Sequence, residues 1–480
     1  MGKKNNADFV QEIADIDADF AGWYTDVVIK TEMVDYGPVK GTMVIRPYGY
    51  AVWENIQRQL DDRIKATGHK NTYFPMFIPY SFLSKEAEHV EGFAPEVAIV
   101  THFGKEELSE KLVVRPTSET IICHMFAKWV QSYRDLPVLV NQWANVVRCE
   151  KTTRPFLRTS EFLWQEGHTL HATEEEAMEE TLKMLGVYEE FMKNVLAIPV
   201  ITGRKSENEK FAGAGATYTM EAMMLDGKSL QAGTSHYLSQ NFSKAFDIKF
   251  LDRDGTLKHP YQTSWGVSTR LMGALIMAHG DRRGLALPPR VAPIQVIIVP
   301  VAAHKEGVLD KAYEIRDELL NSGVRVEIDT RDQSVGWKFN EWEMKGVPLR
   351  IEIGPRDIEN GVVMTSRRDT HEKDTVSMQG LGDTVKKILD DIHENMYEKA
   401  KALLMSHIVE CHDFEEFKTA IEGKNFVKAM WCGCPECEAE IKALTSATTR
   451  AMPFDQTPIG DVCVHCGKPA KHVIYFAKIY

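Results

Sequence analysis

Apolar residues recur along this chain with two periods, and the switches between them predict its elements. After a helix-like start, Val52, Ile56, Leu60 and Ile64 form a helical stripe over 51–65, with Gly68 just past its end. NTYFPMFIPYSFL is a strand-like run, and Pro75 places it at a sheet edge or an interface. HVEGFAPEVAIVTHFG reads as a loop, and LVVRPTSETIICHMFAKWVQSY as a short strand passing into a helix. VVRCE (146–150) and EFLWQEGH (161–168) alternate with period two, which predicts a hairpin; its tip is KTTRPFL, where Pro155 interrupts the ladder. ATEEEAMEETLKMLGVYEEFMKNVL is a helix capped by Thr173, with its glutamate run read as a solvated face. TYTMEAMML and LQAGTSHYL flank an Asp-Gly turn as a second hairpin. Gly266 precedes a helix with Leu271, Leu275 and Met277 on its apolar face; Gly273 and Ala274 permit close approach, and Gly280 ends it.

ALPPRVAP breaks this pattern and marks a boundary. Beyond it, IQVIIVPV is a continuous apolar run, the signature of a strand covered on both faces. The order from there is β-α-β-α-β, which predicts an α/β unit with a parallel or mixed sheet. From about 383 to 404 the chain is helical and charged, and reads as a linker. Five of the eight cysteines follow, between Cys432 and Cys466.

A chain of 480 residues is too long for one core. No run of 18 apolar residues occurs, and the polar start MGKKNNADF is no signal peptide, so no membrane association and a cytoplasmic location are expected. A net charge of −12 argues against a generic polyanion binder while leaving room for a local basic surface. Clustered cysteines in a cytosolic chain favour metal over disulfides. Cys463-x-x-Cys466 supplies half of a tetrahedral zinc site; Cys432, Cys434 and Cys437 offer the other half, with Cys434-x-x-Cys437 the commoner spacing. Cys123, Cys149 and Cys411 read as ordinary buried thiols.

The first hairpin carries the most chemistry. Alternation puts Arg148 and Glu150 on one face of its first strand, and Phe162, Trp164, Glu166 and His168 on one face of its second. Arg154 and Arg158 add charge at the tip. Guanidinium matches phosphate oxygens bidentately and Phe162 offers a stacking plane, so the wall suits an anionic, ring-bearing ligand such as a nucleotide. Cross-strand pairing on a solvated sheet would explain the same residues. Thr117 and Glu119 fall on one side of an extended segment; Thr117 or Ser118 capping the following helix is the plainer reading. Arg270 is a cation in an apolar stretch and requires a partner.

Together these stretches resemble the class II aminoacyl-tRNA synthetases. Helix-Gly-strand with Pro75 resembles motif 1, Arg148-x-Glu150 with Arg158 and Phe162 resembles motif 2, and Gly266 with Arg270 resembles motif 3. RPTSE, WQEGH and QAGTSHYL are similar to the prolyl-tRNA synthetases, specifically the archaeal and eukaryote-like type with a C-terminal zinc domain. The resemblance implies three domains: an α+β catalytic domain built on an antiparallel sheet with helices (1–288), an α/β anticodon-binding domain (289–400) and a small α+β zinc-binding domain (401–480). It implies attachment of L-proline to tRNA(Pro) through a prolyl-adenylate, with ATP and Mg²⁺, and a homodimer through the region around Pro75. Arg148, Arg158 and Arg270 are its implied catalytic residues. Arg148, Glu150, Arg158, Phe162, Gln231, Thr234 and Arg270 would hold ATP. Thr117, Glu119, Arg148, Trp164, Glu166, His168 and His236 would frame proline. Glu221 is a candidate Mg²⁺ or water contact, and Arg350 and Arg356 are candidate anticodon readers. By the family's spacing, structural Zn²⁺ would sit on Cys432, Cys437, Cys463 and Cys466. About twenty residues separate the helix after His168 from the second hairpin, too few for the editing domain that some of these enzymes insert there, since a domain takes at least about 50. Two alternatives are another class II specificity, such as threonyl, and a non-catalytic RNA-binding relative.

Overall fold

In a computed structural model, residues 13–83 and 96–480 are described. The first residues of the helix-like start and the stretch HVEGFAP lie outside them. Helix α1 (Phe20–Lys30) and α2 (Pro47–Ala66) contribute to one core, into which α2 buries Val52, Ile56, Leu60 and Ile64 as its stripe predicts. Gly68 follows with φ +91°, a left-handed conformation that costs glycine little.

A seven-stranded sheet carries the site. Its strands are β1 (Lys70–Asn71), β2 (Val138–Val147), β3 (Glu161–His171), β4 (Val200–Arg204), β5 (Ala216–Met223), β6 (Ser229–Ser239) and β7 (Tyr261–Ser268). Their spatial order is β1-β2-β3-β7-β6-β5-β4, antiparallel except where β1 joins β2. One face is covered by α3 (Glu174–Asn194), whose Met184, Leu185, Phe191 and Met192 are buried, each worth roughly 1.5–3 kcal/mol. Thr173 caps it by accepting from the Glu176 amide. Gly167 faces the Trp265 ring so closely that a Cβ there would clash, which accounts for glycine at the centre of β3.

Several expectations need correction. Strand-like 71–83 does not include Pro75 in a ladder; only β1 and a short strand at Phe77–Pro79 form, because proline cannot donate. The first hairpin strand is longer than VVRCE toward its start and stops at Val147. Beyond that point the chain curls into the tip, where Phe156 takes φ +60° and Tyr24 donates to Pro155 O at 2.7 Å. Gly266 lies within β7, not in a turn, and faces Gln165 O. The glutamate run is not all solvated: Glu180 is buried against His69 at 2.6 Å. Cys149 is exposed, unlike Cys123 and Cys411.

The next unit holds β8 (Val296–Pro300), β9 (Val326–Ile328), β10 (Leu349–Ile353), β11 (Val362–Arg367) and β12 (Lys373–Ser377), in the order β9-β8-β10-β11-β12. β8 runs parallel to β9 and β10, and the last two strands are antiparallel, so the sheet is mixed. The stretch read as a linker is a 26-residue helix, Leu381–Ser406. Its Leu381, Val385, Leu389, Ile392 and Met396 belong to this unit's core. Its charges occupy one face and a 3.6-residue apolar stripe the other, so it is a packed element. The C-terminal unit is a four-stranded sheet with β13 (Ile408–Cys411), β14 (Phe426–Trp431), β15 (Thr448–Ala451) and β16 (His472–Ala477), ordered β13-β14-β16-β15. No helix among the described residues is long and apolar enough to cross a membrane.

Candidate active site

Alternation along β3 does what its pattern predicts. Phe162, Trp164, Glu166 and His168 all line one cleft of about 380 Å³ on the uncovered face of the sheet. Glu166 accepts from Ser118 Oγ at 2.6 Å, Gln142 Nε2 at 2.7 Å and His168 Nε2 at 2.8 Å. Burial pushes its carboxyl up, but those bonds and the imidazolium outweigh it, and its pKa is lowered. Burial likewise pushes His168 down, yet the Glu166 bond and charge raise its pKa. The two form a buried, mutually charged pair.

Ser118 precedes the helix Glu119–Trp129, but its hydroxyl does not cap it; it is spent on Glu166. Thr117 donates to Glu119, so capping does not account for either residue. Arg115 staples this loop by donating to Phe74 O at 2.7 Å and Asn145 O at 2.8 Å. Glu119 is 5% exposed, lines the cleft and has no ion pair among the described residues. A buried carboxylate in that state is a receptor for a cation. Across the cleft, His236 sits between Thr217 Oγ1 at 2.9 Å and Thr234 Oγ1 at 3.0 Å. Burial, with Lys205 and His168 adding to it, drops its pKa to about 3, so it is neutral.

Arg148 lies past the ladder's end, yet its amide still donates to Ser160 O, which keeps the side chain on the cleft wall. Its guanidinium bonds Pro116 O at 3.0 Å and lies 5.4 Å from the Phe162 ring centroid. Arg270 opens the helix Arg270–His279 and reaches Leu157 O at 3.3 Å. Gly273 on that helix packs against Leu157 of the hairpin tip, where an added Cβ would force the Leu157 side chain to shift, and this close approach seats the arginine beside motif 2. Neither guanidinium has an ion pair among the described residues, and the partner that Arg270 finds is the Leu157 carbonyl. Burial lowers the pKa of both, and Arg158 and Arg148 lower that of Arg270 further. Glu119, Glu150 and Glu166 act on Arg148 and Glu221 and Glu150 on Arg270 without pairing with either, and two guanidiniums free of an ion pair among the described residues, facing one cleft, suit it to an anion. Trp164 and Ser264 also line it, and Trp164 Nε1 and Ser264 Oγ have no hydrogen-bond partner among the described residues.

Gln231 and Thr234 belong to the same wall. Glu150 and Arg158 stand outside this lining, 3.8 Å from each other, and Arg158 faces an adjoining chamber. Glu221 is fully buried, bonded to Thr219 Oγ1 and Ser229 Oγ, and lines neither space. Lys205 and Glu209, from the short segment after β4, line the cleft and were not legible in the sequence. Lys205 donates to Gln231 Oε1 at 2.7 Å. In sequence it is one lysine in a charged loop; only the path of that loop over the sheet reveals it. Arg350 is paired with Glu352 at 2.9 Å and stacked on Phe339, whereas Arg356 is exposed.

In the C-terminal unit the sulfurs of Cys432, Cys437, Cys463 and Cys466 lie within 4.8 Å of one another. Cys437–Cys463 is 3.6 Å and Cys432–Cys466 3.7 Å. A tetrahedron with Zn–S of about 2.3 Å has edges of roughly 3.8 Å, so the set has the size of a zinc site. Cys434 turns away, toward Glu436 at 2.7 Å.

The family described as tRNA synthetase class II core domain (G, H, P, S and T) matches residues 101–279, and the Anticodon binding domain family matches 295–388. The fold and site thus define a class II aminoacyl-tRNA synthetase. Residues 414–480 match the family described as Prolyl-tRNA synthetase, C-terminal. Proline–tRNA ligase of Alkaliphilus oremlandii is 64% identical over the full length of both chains, and that of Acetoanaerobium sticklandii 62%. Proline–tRNA ligase 2 of Clostridioides difficile is 60% identical over 99% of this chain and all of its own. The chain belongs to the proline–tRNA ligase family.

Proposed function

We propose that the chain charges tRNA(Pro) with L-proline in two steps. The observation that carries this reading is one cleft holding a buried carboxylate, Glu119, and two guanidiniums, Arg148 and Arg270, none of them ion-paired among the described residues. A zwitterionic amino acid and a nucleoside triphosphate together supply the missing charges. Glu119, aided by Thr117, receives the secondary ammonium of proline. Trp164, His168 and His236 frame the ring, with His168 held in place by Glu166. Gln231 and Thr234 face the nucleotide, and Phe162 supplies a plane for adenine.

A proline carboxylate oxygen attacks the ATP α-phosphorus; the bond to the bridging oxygen breaks and pyrophosphate leaves with its electron pair. The adenylate carbonyl is then attacked by a terminal ribose hydroxyl of tRNA, and AMP leaves. No side chain serves as nucleophile, so positioning and charge neutralisation carry the rate. Arg148 faces the α-phosphate, and Arg158 and Arg270 the pyrophosphate side. Mg²⁺ bound with ATP supplies further neutralisation of phosphate charge. Glu150 holds Arg158 in reach of its anion.

We assign a structural Zn²⁺ to Cys432, Cys437, Cys463 and Cys466, the first domain boundary to about residue 288, the second to the end of the helix at Ser406 because residue 400 falls inside that helix, and the location to the cytoplasm. A homodimer forms through the region around Pro75, where Tyr73 is 69% and Phe103 53% exposed. The test is esterification of tRNA(Pro) transcript with labelled proline by the purified chain. Charging with proline and not threonine supports the reading; binding of tRNA without charging replaces it with the non-catalytic one.

A further inference from the structure

The loop that follows β4 is held from the C-terminal unit at three places. At its start, Arg204 N donates to Met452 O at 2.8 Å and Met452 N to Arg204 O at 2.7 Å, so the residue after β15 closes the edge of the seven-stranded sheet. A Cβ on Gly203 would strike Met452 O, which makes glycine a condition of that approach. In the middle, Ser206 Oγ donates to Glu438 at 2.8 Å, and Asn208 Nδ2 donates to the same carboxylate at 3.0 Å. Further on, Glu209 faces Arg450 at 3.4 Å. Glu438 lies on the helix Pro435–Thr445, next to Cys437 of the cysteine cluster, and Thr449 of β15 donates to it too. Ser206, Thr449 and Glu438 are all buried, and Glu438 has no ion pair among the described residues. Its charge is therefore met by three donors, two of them from the loop.

The other side of the loop faces the cleft. Lys205 and Glu209, which flank the stretch that Glu438 holds, line it, whereas Glu438 does not. Lys205 donates to Gln231 Oε1 at 2.7 Å, which leaves the Gln231 amide its Nε2 donors for a ligand. The Phe211 ring lies 4.7 Å from that of His236. Its amide donates at 2.9 Å to Thr217 Oγ1, the hydroxyl that also meets His236 Nδ1. One end of the loop thus orients a residue that faces the nucleotide, and the other a residue that frames proline.

We propose that Glu438 is a positioning residue for substrate binding: by tying loop 205–211 to the C-terminal unit, it holds Gln231 and His236 where ATP and proline meet them. The inference rests on the reaction proposed above and gives the C-terminal unit a part in it. The loop reaches the substrates away from the reacting atoms, so loosening it weakens ground state and transition state alike. Such a loss raises KM and leaves kcat in place. A contact that served stability alone would behave in the opposite way. Its removal would reduce the folded fraction, which lowers the apparent kcat and leaves KM unmoved.

The experiment uses the full chain, the variants Glu438→Ala and Glu438→Gln, and Ser206→Ala from the loop side. KM and kcat for proline and ATP are measured in ATP–pyrophosphate exchange, and proline is titrated into each protein calorimetrically. Glu438→Ala should raise both KM values, and the Kd for proline, by about tenfold, with kcat within twofold and zinc content that of the parent. Glu438→Gln keeps one acceptor oxygen for Ser206 and Thr449 and should recover most of the loss. Ser206→Ala should shift KM in the same direction and add little to Glu438→Ala in the double variant, since both break one contact. KM within twofold of the parent in Glu438→Ala, or a fall in kcat with KM unmoved, would overturn the proposal. Fully multiplicative effects in the double variant would overturn it too. Should Glu438→Ala fail to fold, Ser206→Ala decides by the same criteria. If the parent binds proline and the variants bind it about tenfold more weakly, but no amino acid supports exchange, the positioning role stands and the charging reaction falls.

Discussion

Arg148 and Glu166 illustrate two ways in which a buried charge is maintained. Glu166 is satisfied internally by Ser118, Gln142 and His168, whereas Arg148 retains open donors toward the cleft. Removing a donor aimed at developing phosphate charge typically costs ~3 kcal/mol or more, so Arg148→Ala should abolish adenylate formation while leaving the melting temperature near that of the parent. A wild-type rate of adenylate formation in single-turnover quench would make this arginine structural. The Glu166–His168 pair predicts a pH dependence. Raised above 6.5, His168 contributes stability that is fully present below 6.5 and fades as pH rises through its folded value. Lowered below 4.5, Glu166 contributes stability present above 4.5 and lost as pH falls through its folded value. The urea midpoint of His168→Gln should therefore lie furthest below the parent's between pH 4.5 and 6.5, and the gap should narrow on either side. A gap independent of pH would mean that the imidazole is uncharged.

At the scale of elements, strand alternation is the legible part of the chain. A period of two assigns four cleft residues to one face of β3, because every second side chain must share a face, and the four line the cleft together. The helix Leu381–Ser406 reads as a linker in sequence because its charge density masks a stripe of five apolar residues. Lys205 and Glu209 escape a sequence reading for another reason: they reach the site from a loop, and no local pattern encodes that. The cysteine cluster shows the limit of spacing. Cys434 has the commoner spacing to Cys437, but it immediately precedes the helix at Pro435 and points toward Glu436. Cys437→Ser or Cys466→Ser should release the metal, about one zinc per chain by plasma mass spectrometry, and Cys434→Ser should retain it. Loss of zinc from Cys434→Ser but not from Cys432→Ser would reverse the assignment.

For the whole molecule, the segment between Asn194 and Ala216 forms only β4 and a short loop that feeds Lys205 and Glu209 into the cleft. A pocket shaped for proline excludes larger side chains by clash, but a missing methylene is worth only ~1–3 kcal/mol. The enzyme should therefore activate alanine at a measurable rate and should not hydrolyse pre-formed alanyl-tRNA(Pro); enzyme-dependent ester loss well above the spontaneous rate would reveal a deacylating site. The central claim, that Glu119, Arg148 and Arg270 join proline to ATP in one cleft, is tested most directly by amino-acid-dependent ATP–pyrophosphate exchange across the twenty amino acids. The account predicts strong exchange with proline, weak exchange with alanine, and none with threonine. Strong exchange with another amino acid, or none with proline, would contradict it.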